Sequence, residues 1–289
     1  MNGKLARSVS LVSYGFNEKE LIAEFFQKAM ALLEAVVDDY EIVFIDDCST
    51  DGTWEIAQRV AQENSRIRVF RNERNRNIGY SFKRGVSLAE KEYLFWQTID
   101  WSYDLTDLPV FLKLLECFGV VVGVRPVPFR LLAYIPVLRS IYRVRTRSDD
   151  FLRAVVSLTN YYVLRLLFGL NVHDFQNVQF HKTKTLQSFE LRGESSFLGI
   201  EMMIRAHSLG LDLIEVPIKF LPRAKGVSKG IRPAAIWRSA NDILRNWFSW
   251  GWRMRWEGVE KGQIYRVSEA FFLEEDVIVL CAPLFKRFR

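Results

Sequence analysis

The strongest constraint on this chain is an alternation, through its N-terminal third, of short apolar runs with segments of helical apolar spacing. "SVSLVSYGF" (8–16), "YEIVFIDD" (40–47), "IRVFRN" (67–72) and "EYLFWQTID" (92–100) read as strands. Between them, "EKELIAEFFQKAMALLEAV" (18–36), "TWEIAQRVAQE" (53–63) and "IGYSFKRGVSLAE" (78–90) carry apolar residues at helical intervals. Strands joined by crossover helices make a parallel sheet covered on both faces, so the expected class is α/β with a mostly parallel sheet. Ligands in such sheets bind beyond the carboxyl ends of the strands. Asn17, Glu18, Asp46, Asp47 and Asp100 directly follow or close apolar runs and are the first candidate site residues.

Composition narrows the class. A chain of 289 residues, 49% hydrophobic, can bury a substantial core as one large domain. Three cysteines without metal-ligand spacing favour a reducing compartment over a disulfide scaffold, and only three histidines accompany them, so structural zinc is not expected. The formal net charge of +6 suits anionic partners. Nucleic acid is not expected among them, because the basic residues sit among aliphatics and follow no reading module. No run reaches the roughly 18 to 20 apolar residues of a membrane span, and the N-terminus enters a strand pattern directly. The expected location is cytoplasmic and peripheral.

The stretch "IDDCSTDGT" (45–53) leaves one strand and opens a helix. Read locally, it is a turn in which Asp51-Gly52 supplies a left-handed position and Ser49 or Thr50 caps the helix. That leaves two adjacent acids unexplained, whereas a carboxylate there could bind a nucleobase or ribose. With "SLVSYGFNEKELI", the stretch resembles the opening of family 2 glycosyltransferases, in which strands lead to Pro-x-Tyr-Asn-Glu and to Asp-Asp-x-Ser-x-Asp-Gly-Thr. Tyr14 and Phe16 depart from the first motif, Asn17 and Glu18 keep it, and the second is complete. The resemblance implies the Rossmann-like GT-A fold and a nucleotide-sugar donor site at Tyr14, Asn17, Glu18, Asp46, Asp47 and, in "NRNIGYSFKRG", Gly79.

In that family an Asp-x-Asp pair after the next strand holds a divalent cation on the donor's phosphates. Here "QTIDWSYDLTDLP" (97–109) contains no such pair. Counted from the strand, Asp100 takes the second position and Thr98 the first; counted back from the following helix, Asp104 and Ser102 do. Asp100 and Asp104 are therefore both expected as contacts to Mg2+ or Mn2+ or to the diphosphate, with helix capping the plainer role for Asp104.

Downstream, "GVVVGVR" (119–125), "RAVVSLTN" (153–160), "VHDFQNVQF" (172–180) and "GIEMMIRAHSLGLDLIEVPIKFLPRAKGVSKG" (199–230) resemble the polyprenyl-phosphate branch of the family, which includes dolichyl-phosphate mannose synthase. That resemblance implies that Arg125, Arg153, Ser157 and Arg223 gather the donor diphosphate and acceptor phosphate, with Ser228 and Lys229 on a closing loop. Arginine forks suit that task. Asp174 could act as base, position the acceptor or brace the fold. Glu201 could serve a hydroxyl acceptor or pair with Arg205 at i+4. His173 and His181 read as structural.

Two basic, aromatic segments, 129–147 and 234–256, point to a membrane surface, and the second carries five of the eight tryptophans. The plainer alternative is that they pack against the core. The expected organisation is a catalytic domain over 1–230 and an amphipathic extension over 231–289 that meets a membrane or another copy of the chain. The expected activity is inverting transfer of one sugar from a UDP- or GDP-sugar to a polyprenyl phosphate. A saccharide-hydroxyl acceptor, or an inactive binding protein, is the alternative.

Overall fold

The computed structural model describes residues 4–124, 151–175, 177–221, 233–256, 260–267 and 275–285. The N-terminal third alternates as expected: β1 (Leu5–Gly15), α1 (Ile22–Val36), β2 (Val37–Asp46), α2 (Thr53–Glu63), β3 (Ile67–Arg71), α3 (Asn77–Leu88) and β4 (Tyr93–Trp96). Then follow α4 (Leu108–Cys117), β5 (Val120–Val124), α5 (Phe151–Phe168), β6 (Gln179–Lys182), α6 (Thr183–Gln187), α7 (Phe197–Ser208) and β7 (Leu213–Pro217). The chain continues through α8 (Pro233–Asn246), a π-turn (Trp247–Gly251), α9 (Trp252–Trp256), β8 (Ile264–Arg266) and α10 (Glu275–Phe285).

The strands form one sheet in the order β3-β2-β1-β4-β6-β5-β7-β8. Among the described strands only β6 runs antiparallel, against both β4 and β5. The mostly parallel α/β expectation holds because the central strands are buried on both faces: Val9, Leu11, Val12, Ile42, Val43 and Phe44 have no exposed surface. Neither β6 nor β8 was separable in the sequence as a strand, since each is at most four residues long and is held by its neighbours.

The described residues beyond 230 pack against this sheet and its core. β8 extends the sheet in parallel beside β7. Ile243, Trp250, Val267, Val277, Cys281 and Leu284 belong to the same buried cluster as the strands. No helix among the described residues is long and apolar enough to cross a membrane.

Candidate active site

The strand order reverses direction at β1, with β2 on one side and β4 on the other. A crevice therefore opens between the carboxyl ends of β1 and β4, where α/β sheets bind ligands. Its walls are made by the segments after Gly15 and after Trp96.

The two N-terminal motifs interlock there. Asn17 adopts the left-handed conformation, φ 56°. Its backbone N–H donates to Ser49 Oγ at 2.9 Å, and its Oδ1 accepts from the Thr50 N–H at 2.9 Å. The Glu18 N–H donates to Thr53 Oγ1 at 2.8 Å and the Lys19 N–H to Asp51 Oδ2 at 3.1 Å. Gly52 supplies the expected left-handed position, φ 99°. Ser49 and Thr50, however, face the β1–α1 loop instead of capping α2, and Asp51 makes the local turn through the Thr53 N–H and hydroxyl. Much of the motif thus shapes the crevice wall.

Asp46 and Asp47 differ sharply. Asp47 accepts from Asn72 Nδ2 at 2.7 Å and from the N–H groups of Arg76 and Asn77 at 2.8 and 2.9 Å, which sets the turn that starts α3. Asp46 Oδ2 accepts from the Ser49 N–H at 3.1 Å and faces Arg71 Nε at 3.2 Å. Its Oδ1 is buried without a hydrogen-bond partner among the described residues. Burial raises the Asp46 pKa despite Ser49 and Arg71. A buried acceptor oxygen of this kind is suited to a ligand donor.

Beyond β4 the chain turns tightly. Trp101 is left-handed, φ 54°, and its ring packs edge-on to Phe25. The Ser102 hydroxyl donates to Asp100 Oδ1 at 2.5 Å, and its N–H donates to Thr98 Oγ1. Asp104 Oδ1 instead accepts from the Thr106 N–H and hydroxyl at 3.2 and 2.6 Å, a turn at the entrance to α4. Asp100 therefore lies in the turn that follows β4, and Asp104 in the lead-in to α4. Tyr14 stands near Asp100: burial first, then Tyr103 and Asp100, push its phenol well above the usual range.

The same loop is paired to a distant segment. Tyr103 bridges Phe220 in antiparallel fashion, the Asp104 N–H donates to the Lys219 carbonyl at 3.0 Å, and the Leu221 N–H donates to the Ser102 carbonyl at 2.7 Å. Nothing in the local sequence signals this pairing, because its partners are more than a hundred residues apart.

Among the described residues no group of three or more His, Cys, Asp or Glu could hold a metal ion. The donor set does fit a cation held through one protein carboxylate, Asp100, with substrate phosphates and water as the other ligands, a mode common for Mg2+.

Gly79 lies against the backbone of residue 194: a Cβ there would fall within 2.6 Å of the Glu194 Cα and carbonyl oxygen. Its structural role is close approach. Glu201 is fully buried, accepts from Arg205 Nε at 2.7 Å, and receives the N–H groups of Arg192 and Gly193 at 3.0 and 2.6 Å. The ion-pair reading of Glu201 is the one observed. The Arg205 guanidinium also lies over the Trp250 ring, 4.4 Å from its centroid.

Asp174 is buried in the segment leading to β6. Next to it, the His173 N–H donates to Glu215 Oε1, and His173 Nδ1 meets Glu215 Oε2 at 2.8 Å. His181 is buried against Gln179, in keeping with a structural role. Arg125, Arg223, Ser228 and Lys229, the side chains of Arg153 and Ser157, and the segment 129–147 lie outside the described residues.

Asp242 escaped the sequence reading. It receives the N–H groups of Glu194 and Ser195 at 2.9 Å each and the Ser195 hydroxyl at 2.7 Å, which fastens α8 to the loop that touches Gly79. No local signal marks it, since the spacing to its partners is nearly fifty residues.

A mostly parallel sheet of this order, with acidic side chains beyond β1, β2 and β4, is the architecture of the GT-A fold. Residues 10–166, more than half of the chain, match Glycosyl transferase family 2, and the chain belongs to that family. It is 26% identical over 234 residues to the undecaprenyl-phosphate mannosyltransferase of Micrococcus luteus, covering 78% of this chain and 88% of that protein. It is 23% identical over 190 residues to the dodecaprenyl-phosphate galacturonate synthase of Rhizobium johnstonii, covering 64% of this chain and 51% of that one. Among solved structures, glucosyl-3-phosphoglycerate synthase from Mycobacterium tuberculosis, in complex with Mn2+, UDP-glucose and phosphoglyceric acid, superposes with a TM-score of 0.56. At 17% identity, covering 84% of this chain and 80% of that one, that likeness is one of fold.

Proposed function

We propose that this glycosyltransferase moves one sugar, with inversion, from a UDP- or GDP-sugar to a polyprenyl phosphate at the cytoplasmic face of a membrane. The observation that carries the reading is the bridge between the Asp100 loop and residues 219–221. It joins the loop that carries Asp100 to residues 219–221, which in the sequence shortly precede Arg223, Ser228 and Lys229, the candidate phosphate ligands. The names of the Micrococcus and Rhizobium relatives support a polyprenyl phosphate as acceptor.

In this reading Tyr14, Glu18 and Asp46 face the donor, while Asn17, Asp47 and Gly79 hold the surrounding loops in shape. Arg125, Arg153, Ser157, Arg223, Ser228 and Lys229 gather phosphate oxygens, and Asp174 positions the acceptor. An acceptor phosphate oxygen attacks the anomeric carbon while the bond to the nucleoside diphosphate breaks and the leaving oxygen keeps the electron pair. The attacking oxygen is already anionic, so no strong base is required and positioning supplies much of the rate. Mg2+ or Mn2+ held by Asp100, and by Asp104 if the loop closes, would neutralise the departing diphosphate.

The test is a panel of UDP- and GDP-sugars with Mn2+ or Mg2+ and a short polyprenyl phosphate, scored for glycolipid. One donor is expected to give product. Product formed only on sugar hydroxyls, with loss of turnover in Asp174→Asn, would replace the acceptor, and no transfer from any donor would point to a binding protein.

A further inference from the structure

The C-terminal helices divide their aromatic residues between two faces. Trp247 and Trp250 turn inward and pack on Phe168, with ring centroids 5.5 and 5.6 Å away. Trp237, Phe248 and Trp256 are 75%, 73% and 71% exposed, and Leu244 and Trp252 are also exposed. Packing on the core therefore accounts for only part of this segment's aromatic content.

The π-turn decides how the outer residues line up. On an uninterrupted α-helix at about 100° per residue, Leu244 and Phe248 would lie about 20° to either side of Trp237, but Trp252 and Trp256 would drift to about 60° and 100°. A π-turn adds about one residue to a turn and sets the phase back by about 100°. Trp252 and Trp256 then return to within about 40° of Trp237. The π-turn over Trp247–Gly251 thus aligns five large apolar side chains in one straight stripe.

The stripe carries one sign of charge. Between residues 233 and 256 there are four arginines, Arg238, Arg245, Arg253 and Arg255, and one acid, Asp242. That acid is buried and bonded inward to Ser195 and Asn246. Arg253 and Arg255 lie over the rings of Trp252 and Trp256, 5.7 and 5.1 Å from the centroids. Exposed tryptophans interleaved with arginine match an anionic bilayer interface, where the rings sit at headgroup depth and the guanidinium groups meet lipid phosphates.

We propose that the straight face of Trp237, Leu244, Phe248, Trp252 and Trp256 is the surface on which this protein docks to anionic lipid bilayers. The inference deepens the proposed function and rests on it for its purpose, since a polyprenyl phosphate is presented by a membrane. Docking there would be relayed to the site: Asp242 fastens α8 to residues 194–195 beside Gly79, and Arg238 Nη1 donates to Asn77 Oδ1 at 2.6 Å at the head of α3.

The test uses the full chain and flotation with phosphatidylcholine vesicles, with and without phosphatidylglycerol. Wild-type protein is expected to float with the anionic vesicles, and brominated lipid to quench its tryptophan emission. The triple variant Phe248→Ser, Trp252→Ser, Trp256→Ser is expected to lose at least tenfold in vesicle binding, with an unchanged melting temperature. Its turnover on a detergent-dispersed short acceptor should stay within about twofold of wild type, which separates docking from catalysis. Flotation needs no donor, so it reports on the surface even if the acceptor assignment fails. Wild type that neither floats nor shows quenching, or a folded triple variant that binds as well as wild type, overturns the proposal. So does a wild-type dimer that the triple variant makes monomeric without loss of vesicle binding, which would assign the face to a second copy of the chain.

Discussion

Replacing Glu201 by alanine separates a structural carboxylate from a catalytic one. Glu201 has no exposed surface, and its oxygens receive Arg205 Nε and the N–H groups of Arg192 and Gly193. Removing it leaves the nearly buried Arg205 without its counter-charge and two loop N–H groups without their acceptor. Breaking a buried pair in this way costs about 3–5 kcal/mol. At roughly 2–4 °C per kcal/mol for a chain of this size, the melting temperature should fall by on the order of 6–20 °C. Thermal unfolding and turnover per folded molecule, measured well below the transition, are the paired assays. A general base would behave the other way round, with a rate loss of about 10²–10⁴ and little change in stability. An unchanged melting temperature in Glu201→Ala would refute the bracing role.

Asp100→Asn should lower metal-dependent turnover by about a hundredfold or more, as expected when a charge stabilising the leaving group is lost; Asp104→Ala should lose about 1 kcal/mol of stability with its turn and keep turnover. Equal activity losses in the two would show that the loop brings both acids to the metal. Gly79→Ala forces the α3 and Glu194 backbones apart and should cost about 1–3 kcal/mol, together with weaker donor binding in titration calorimetry; a neutral outcome would show that the contact yields freely. Acid should destabilise the fold through two buried groups. Burial lowers His181 from the usual 6.5 to about 3, so the unfolded chain binds its proton first and stability is lost as pH falls below 6.5. Glu215 is buried, which would raise its pKa, but His173 and Arg266 hold it lower, so its contribution is lost as pH falls through its depressed pKa. Urea unfolding at pH 4.5 should therefore show about 2–3 kcal/mol less stability from His181, and His181→Gln should flatten that dependence.

The sequence by itself determined the alternating elements of the N-terminal third, the acids at their ends and the family. Those features are local: strand and helix periods, and motif residues within a few positions of one another, are written into contiguous residues. The same locality explains what it could not separate. Asp46 and Asp47 are adjacent and identical in type, yet Asp47 is enclosed by Asn72, Arg76 and Asn77 while Asp46 keeps a buried oxygen without a partner among the described residues. Asp100 and Asp104 each fit the family's metal position in one register of counting. Tertiary structure put one in the turn after β4 with Ser102 and the other in a turn with Thr106. It also set the bridge from Tyr103 to Phe220, the anchoring of α8 by Asp242, and the inward tryptophans of a π-turn with the outward ones that flank it. Each of these depends on partners distant in sequence or on a change of helical phase, and neither leaves a mark in the identity of the nearest neighbours.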